Sequence, residues 1–405
     1  MYPEHPASEH KRRIDRARRI MKEMNLDALM LARNVNVFYT TGTRFVFVLK
    51  EGPSTIAPQS ATIITGDDVV YTGRFGPFDT DAVGLDTSWA DALEYVDNEI
   101  ELADILKKYG AKRGDRIGTE WGPGAPSLGI NPLTFEALRK RVADELGAQF
   151  VDATSAIWKM RSVKSNLEIE RMRKAVVASA RAMERIFDII EIDMNELDLA
   201  RKASMFMLEE GADAISHNQV MARGQGPPLG SCAALDRKIE KGYVSLDIGA
   251  SYRRYRSDIH RGVMLGRQPT DDERKLWACR AGINEVLEKA IKPGVSMDEV
   301  LMKADQYARE CGCEMQKVQG VLFGGHGIGL ESIEKPMMMP SSLQPEFQTK
   351  QGKVPFEKGM TFTFEPYVTL PGSVARFNVE DDVVVADTGC ENMNSMLNRE
   401  LRVKL

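Results

Sequence analysis

Ser245-Leu-Asp-Ile-Gly-Ala-Ser-Tyr-Arg-Arg-Tyr-Arg-Ser-Asp-Ile-His-Arg261 is the stretch from which this chain is best read. Asp247 ends an apolar strand pattern and Asp258 starts the next one. A hairpin of this length brings the two carboxylates together. A carboxylate turned toward a core is costly unless it is paired or bound to a cation. Read alone, the same two acids also suit turn caps. Two more acids share the setting. Glu365 lies in Met360-Thr-Phe-Thr-Phe-Glu-Pro366, and Glu380 lies in Phe377-Asn-Val-Glu-Asp-Asp-Val-Val-Val385. Both sit at the end of, or within, strongly apolar strands, where a solvated strand face is the plainer alternative.

The chain has five histidines: His5, His10, His217, His260 and His326. His5 and His10 fall in a terminus expected to fray, which leaves three for chemistry. His326 lies in Phe323-Gly-Gly-His-Gly-Ile-Gly329, where glycine on both sides lets backbone approach an ion or substrate closely. Two Asp, one His and two Glu suit a pair of divalent cations. Hard oxygen donors with one imidazole favour manganese, cobalt, iron or zinc over copper.

Composition narrows the class. The chain has 405 residues, 43% hydrophobic and 28% charged, which is too apolar for disorder. The length predicts two to three domains. A formal net charge of −5 argues against a nucleic-acid or anionic-membrane binder. No apolar run is long enough to span a bilayer. The first residues, MYPEHPASEHKRR, lack the apolar segment of a secretory signal. Five scattered cysteines read as reduced thiols in a cytoplasmic protein. Cys311-Gly-Cys313 is too closely spaced for a common zinc pair.

Short strands and helices alternate up to about residue 157, as expected of a mixed α/β domain. An amphipathic helix is predicted over 8–24, strands over 26–31, 61–64, 69–71 and 116–119, and helices near 99–109 and 132–146. Ser165-Asn-Leu-Glu168 is a capping box that opens a long helix. Beyond it, strands over 215–222, 242–249, 258–265, 361–369 and 377–386 accompany helices near 195–209, 271–291 and 297–311. That pattern predicts an α+β second domain. The boundary divides the chain into 1–160 and 161–405.

The order Asp, Asp, His, Glu, Glu, with Asp-x10-Asp, Gly-His-Gly-x-Gly, Phe-Glu-Pro and Val-Glu-Asp-Asp, resembles the methionine aminopeptidase, prolidase and creatinase superfamily (peptidase family M24). Leu26-Asp-Ala-Leu, Phe38-Tyr-Thr-Thr-Gly42 and Met160-Arg-Ser-Val-Lys-Ser-Asn-Leu-Glu-Ile169 are similar to the prolidase/creatinase branch in particular. The resemblance implies a creatinase-type N-terminal domain followed by a pita-bread catalytic domain. It implies that Asp247 binds one metal ion, that Asp258 and Glu380 bridge two, and that His326 and Glu365 hold the other. Glu365 is then placed to shuttle a proton. The resemblance also implies a homodimer.

Three departures bear on activity. The superfamily's peptidases carry a His after a Pro upstream of an Asp-Arg pair; here Pro227-Pro-Leu-Gly-Ser-Cys-Ala-Ala-Leu-Asp-Arg237 has none. They carry a second His where this chain has Ile333. Such donors to a developing oxyanion are worth a few kcal/mol each. The prolidase pattern also places Arg where this chain has Asn378, with Arg376 two residues earlier on the same strand face. His260 stands where the family has Thr, and His217 lies on the resembling substrate-side strand. Both are candidates for the missing donors or base. Arg376, Tyr367 and Ser332 are the expected substrate contacts.

The implied reaction is hydrolysis of a C–N bond by metal-activated water, on a small amide, amidine or ring. An atypical Xaa-Pro peptide is one alternative and a metal-dependent lyase another. A binding module without activity is disfavoured, because all five ligands are present.

Overall fold

A computed structural model describes residues 5–42, 61–73, 89–122, 129–222, 233–318, 320–373 and 377–405. The chain forms two compact units, 1–160 and 161–405. Arg376, most of the 227–233 stretch and the 51–54 loop lie outside the described residues.

The first unit contains α1 (Ala7–Glu23), β1 (Ala28–Leu31), α2 (Asn34–Thr41), β2 (Ala61–Thr65), β3 (Val69–Gly73), β4 (Ala92–Tyr95), α3 (Leu102–Lys108), β5 (Arg116–Thr119), α4 (Pro132–Arg141), β6 (Gln149–Asp152) and α5 (Thr154–Ser162). Its sheet runs β4-β3-β2-β1-β5-β6. The β1–β2 and β2–β3 pairs are antiparallel, whereas β1–β5 and β5–β6 are parallel. Met30, Ile63 and Ile117 of the sheet join Phe135 and Leu138 of α4 in one core.

His5 and His10 are not frayed. His5 is fully buried and its ring nitrogen lies 3.4 Å from the Phe38 carbonyl, while His10 Nδ1 lies 3.0 Å from the Thr40 carbonyl. The unpatterned residues before α1 thus fold back onto α2, which tertiary contact alone dictates.

The second unit repeats one plan twice. First come α6 (Asn166–Ile189) and α7 (Glu196–Glu209), then β7 (Ala214–Ala222), β8 (Gly242–Tyr252), β9 (Tyr255–Arg256) and β10 (Ile259–Leu265). The capping box forms as read: Ser165 Oγ accepts from the Glu168 amide, and Glu168 accepts from the Ser165 amide. Next come α8 (Asp271–Ala290) and α9 (Met297–Glu310). The strands that follow are β11 (Glu314–Met315), β12 (Lys317–Val318), β13 (Val321–Leu322), β14 (Gly325–Gly327), β15 (Glu334–Met338), β16 (Thr361–Phe364), β17 (Val368–Thr369), β18 (Asp381–Val385), β19 (Cys390–Asn392) and β20 (Arg402–Lys404).

The two main sheets run β20-β10-β8-β7 and β15-β14-β16-β18-β19. Val244, Leu246, Ile248 and Ala250 of β8 pack with Met183 and Ile186 of α6. Phe362, Phe364, Val383 and Val385 pack with Ile283 and Leu287 of α8. Strand alternation then puts Asp247, Glu380 and Asp382 on the faces turned away from the helices. Paired backbone bonds between His260 and Glu380 join the two sheets along that inner side.

Two strands differ from expectation. β8 continues five residues past Asp247, to Tyr252. The expected 361–369 strand is interrupted after Phe364, where Glu365 leads into Pro366; proline donates no hydrogen bond to a ladder.

Candidate metal centre

Two glycines make the site possible. A Cβ on Gly249 would stand 2.2 Å from the Ser257 carbonyl oxygen and 2.3 Å from His217 Cε1. A Cβ on Gly325, whose φ is +141°, would stand 1.9 Å from the Thr363 carbonyl oxygen. The first lets the segment carrying Asp258, between β9 and β10, lie close to β8. The second brings His326 against β16.

Within that frame the site residues converge. Ligand atoms of His217, Asp247 and Asp258 lie within 4.8 Å of one another, as do those of Asp247, His260 and Glu380, and those of Asp258, His326 and Glu380. His326 Nε2 stands 3.3 Å from Glu365 Oε1 and 3.9 Å from Asp258 Oδ2. Its Nδ1 lies 3.0 Å from the Gly327 carbonyl. Donation there leaves the Nε2 lone pair facing the acids, the arrangement that orients a ligating imidazole.

Negative charge is concentrated and buried. Burial, reinforced by Asp258 and Asp247, pushes the Glu365 carboxyl up to about 8. Burial and the same neighbours hold Glu380 well above the ordinary range, and burial does the same for Asp382. Asp247 is lowered; burial opposes this, but His217 and His260 outweigh it. Glu380 Oε1 and Asp382 Oδ1 are buried with no hydrogen-bond partner among the described residues. The fully buried guanidinium of Arg280, near Glu365 and Glu380, donates instead to the Phe364 carbonyl, Asn378 Oδ1 and Asn284 Oδ1. His217 matches Asp247 and Asp258, but Glu365, Glu380 and Asp382 have no lysine or arginine side chain bonded to them among the described residues, and this excess of carboxylates with orphaned oxygens has the donor chemistry that divalent ions require.

The remaining predicted residues separate into groups. His260 is buried and both its ring nitrogens are engaged: Nε2 with Ser245 Oγ, and Nδ1 with the Asn378 amide at 3.3 Å. Burial lowers its pKa to about 4. His217 Nε2 reaches Asp247 Oδ1 at 2.9 Å and Asp258 Oδ1 at 3.0 Å. Tyr367 Oη stands 3.5 Å from Glu365 Oε2. Ser332 Oγ bonds Ser216 Oγ at 2.9 Å and accepts from Arg256 at 3.2 Å. The Ile333 side chain, at a position where the resemblance expects His, is 57% exposed.

Sequence reading missed Asp382 and Arg280. Asp382 Oδ2 accepts from the Asp258 amide at 2.8 Å and so fixes that turn. Its two-residue spacing from Glu380 was the available signal. For Arg280 the signal was its place on the α8 face shared by Leu276, Ile283 and Leu287.

The model of the metallopeptidase family M24 matches residues 170–387, and that of the creatinase/prolidase N-terminal domain matches 13–163. The chain belongs to the metallopeptidase family M24, with a creatinase-type domain ahead of the pita-bread domain, and is a metal-dependent hydrolase of that class. Among curated relatives, an uncharacterized peptidase, YqhT, of Bacillus subtilis is 27% identical over 93% of this chain and 96% of its own. A Xaa-Pro dipeptidase of Pyrococcus furiosus is 25% identical over 95% and 97%. Among solved structures, a Xaa-Pro dipeptidase from Bacillus anthracis superposes with a TM-score of 0.77 at 24% identity, covering 97% of this chain and 99% of that one. No helix among the described residues is long and apolar enough to cross a membrane.

Proposed function

We propose that Asp247, Asp258, His326, Glu365 and Glu380 hold two divalent cations, and that the enzyme hydrolyses a C–N bond in a small amide, amidine or ring rather than acting as an ordinary dipeptidase. When bound, such ions lower the pKa of a water molecule and polarise the bond under attack. Glu365, 3.3 Å from His326 and beside the other acids, is placed to take a proton at its carboxylate and return it to the leaving nitrogen. The Tyr367 hydroxyl near Glu365 Oε2 helps orient that carboxylate. Ser332 and Arg376 are the proposed substrate contacts.

The observation that carries the substrate reading is the shortage of donors. Ile333 offers no hydrogen bond, and the nitrogens of His260 are already committed to Ser245 and Asn378. Among the described residues, a peptide carbonyl developing negative charge would then find neither of these donors. The resemblance further carries the proposal of a homodimer, which light scattering of the purified chain checks, and the few scattered cysteines carry that of a cytoplasmic location.

The test is a screen of metal-loaded enzyme against Xaa-Pro dipeptides, cyclic amides and guanidino compounds in 18O-labelled water. The expected result is label in the product of a non-peptide substrate, and kcat/KM for Xaa-Pro below about 10⁴ M⁻¹s⁻¹. Efficient Xaa-Pro cleavage would overturn the substrate reading. An unlabelled alkene product would identify a lyase.

A further inference from the structure

His217 stands apart from the other two imidazoles of the site. His326 has one nitrogen tied to a carbonyl, and His260 has both nitrogens tied to neutral groups. His217 directs Nε2 at two carboxylates at once, 2.9 Å from Asp247 and 3.0 Å from Asp258, while Nδ1 is buried with no hydrogen-bond partner among the described residues. The backbone is shaped for this ring. The β7–β8 register shifts between Ile215 and His217, a bulge that re-aims a side chain. Across the pair stands Gly249, where a Cβ would collide with the ring.

We propose that His217 is a sixth protein ligand, binding through Nε2 the cation held by Asp247 and Asp258. This rests on the dinuclear reading above and deepens it. Metal–nitrogen and metal–oxygen bonds of about 2.0–2.2 Å put adjacent donors of one ion about 3 Å apart. The Nε2 separations from Asp247 and Asp258 fall at that value. His260 is the competing candidate, but its Nδ1 is 3.7 Å from Asp247 Oδ2 and accepts the Asn378 amide. With His217 on one ion and His326 on the other, each metal position contains an imidazole. That donor set turns from purely hard oxygen toward zinc, cobalt and iron.

The experiment is X-ray absorption of the full chain loaded with zinc, with stepwise affinities from chelator competition. Native protein should show about one imidazole per zinc; His326 alone would give about one half, and that value in native protein overturns the proposal without any variant. His217→Gln should bring the count to about one half and weaken one of the two zinc affinities by more than about 100-fold, beyond what loss of an outer-shell partner costs. An unchanged count and unchanged affinities in this variant overturn the proposal. So does a drop seen with His260→Gln and not with His217→Gln. Fewer than two zinc ions in native protein defeats the dinuclear reading; His217 is then still judged by whether its replacement removes imidazole from the zinc that binds.

Discussion

At the scale of single residues, the site contrasts side chains that hold charge with side chains that hold one another. Asp258 belongs to the first kind: its carboxylate faces His217 and His326 while its amide is fixed by Asp382. Replacing it with Ala should abolish activity and remove bound metal, read by elemental analysis, whereas Arg376→Ala should keep the metal. His260 belongs to the second kind. His260→Thr restores the usual family residue but leaves the Ser245 hydroxyl and the Asn378 amide without their ring partner. An unsatisfied buried group costs about 1–3 kcal/mol, so urea unfolding of this variant should shift by that amount. It should retain its metal and, since neither ring nitrogen is free to meet substrate, most of its turnover. Loss of most turnover with metal content and stability unchanged would instead show His260 to act on the substrate.

Among the elements, the strands make the site and the helices bury their backs. Gly249 is the point where this arrangement has no slack, since both the Ser257 carbonyl and the His217 ring occupy the space of a side chain. Gly249→Ala should therefore separate Asp247 from Asp258 and lower the metal content. Ser165→Ala is the matched comparison: it removes the hydroxyl that caps α6 and should cost about 1 kcal/mol of stability with metal content unchanged. Equal metal loss in both would mean that the centre reports global stability rather than the local β7–β8–β10 geometry. The capping box was legible because it is a local pattern. The need for glycine at 249 was not, because the atoms it avoids come from residues 217 and 257.

For the whole molecule, pH dependence of the metal-free chain follows from two opposite kinds of acid. Glu334 is buried, and burial alone would raise its carboxyl; Arg161 and Lys164 outweigh this and hold it at about 2. Its folded pKa lies below the unfolded value, so it contributes stability above about pH 4.5 that is lost as pH falls toward 2. Glu365, raised to about 8 by burial and then by Asp258 and Asp247, has the opposite sign. Its contribution is present below about pH 4.5 and is lost as pH rises through 8. His260, lowered to about 4, adds stability as pH rises only up to about 6.5, so thermal unfolding of chelator-treated protein should weaken from pH 6.5 to pH 8, and Glu365→Gln should flatten that slope. Cations relieve the same repulsion, so their stabilising effect should grow over that interval. A metal-free chain equally stable at pH 6.5 and pH 8 would contradict the charge balance described for the site.

In the sequence by itself were legible the α/β and α+β character of the chain's parts, the long helices and main strands, and a candidate set of acids with one histidine. All of these follow from local periodicity, caps and motif spacing, which need no knowledge of distant residues. Only the tertiary structure decided what each imidazole meets. His217, His260 and His326 look alike along the chain. They differ because Asn378 and Ser245 arrive from other strands to occupy His260, the Gly327 carbonyl orients His326, and Gly249 clears room for His217. His5 and His10 show the same limit, since α2 buries both. A hydrogen-bond partner supplied by a distant segment leaves no trace in the periodicity of the segment that receives it.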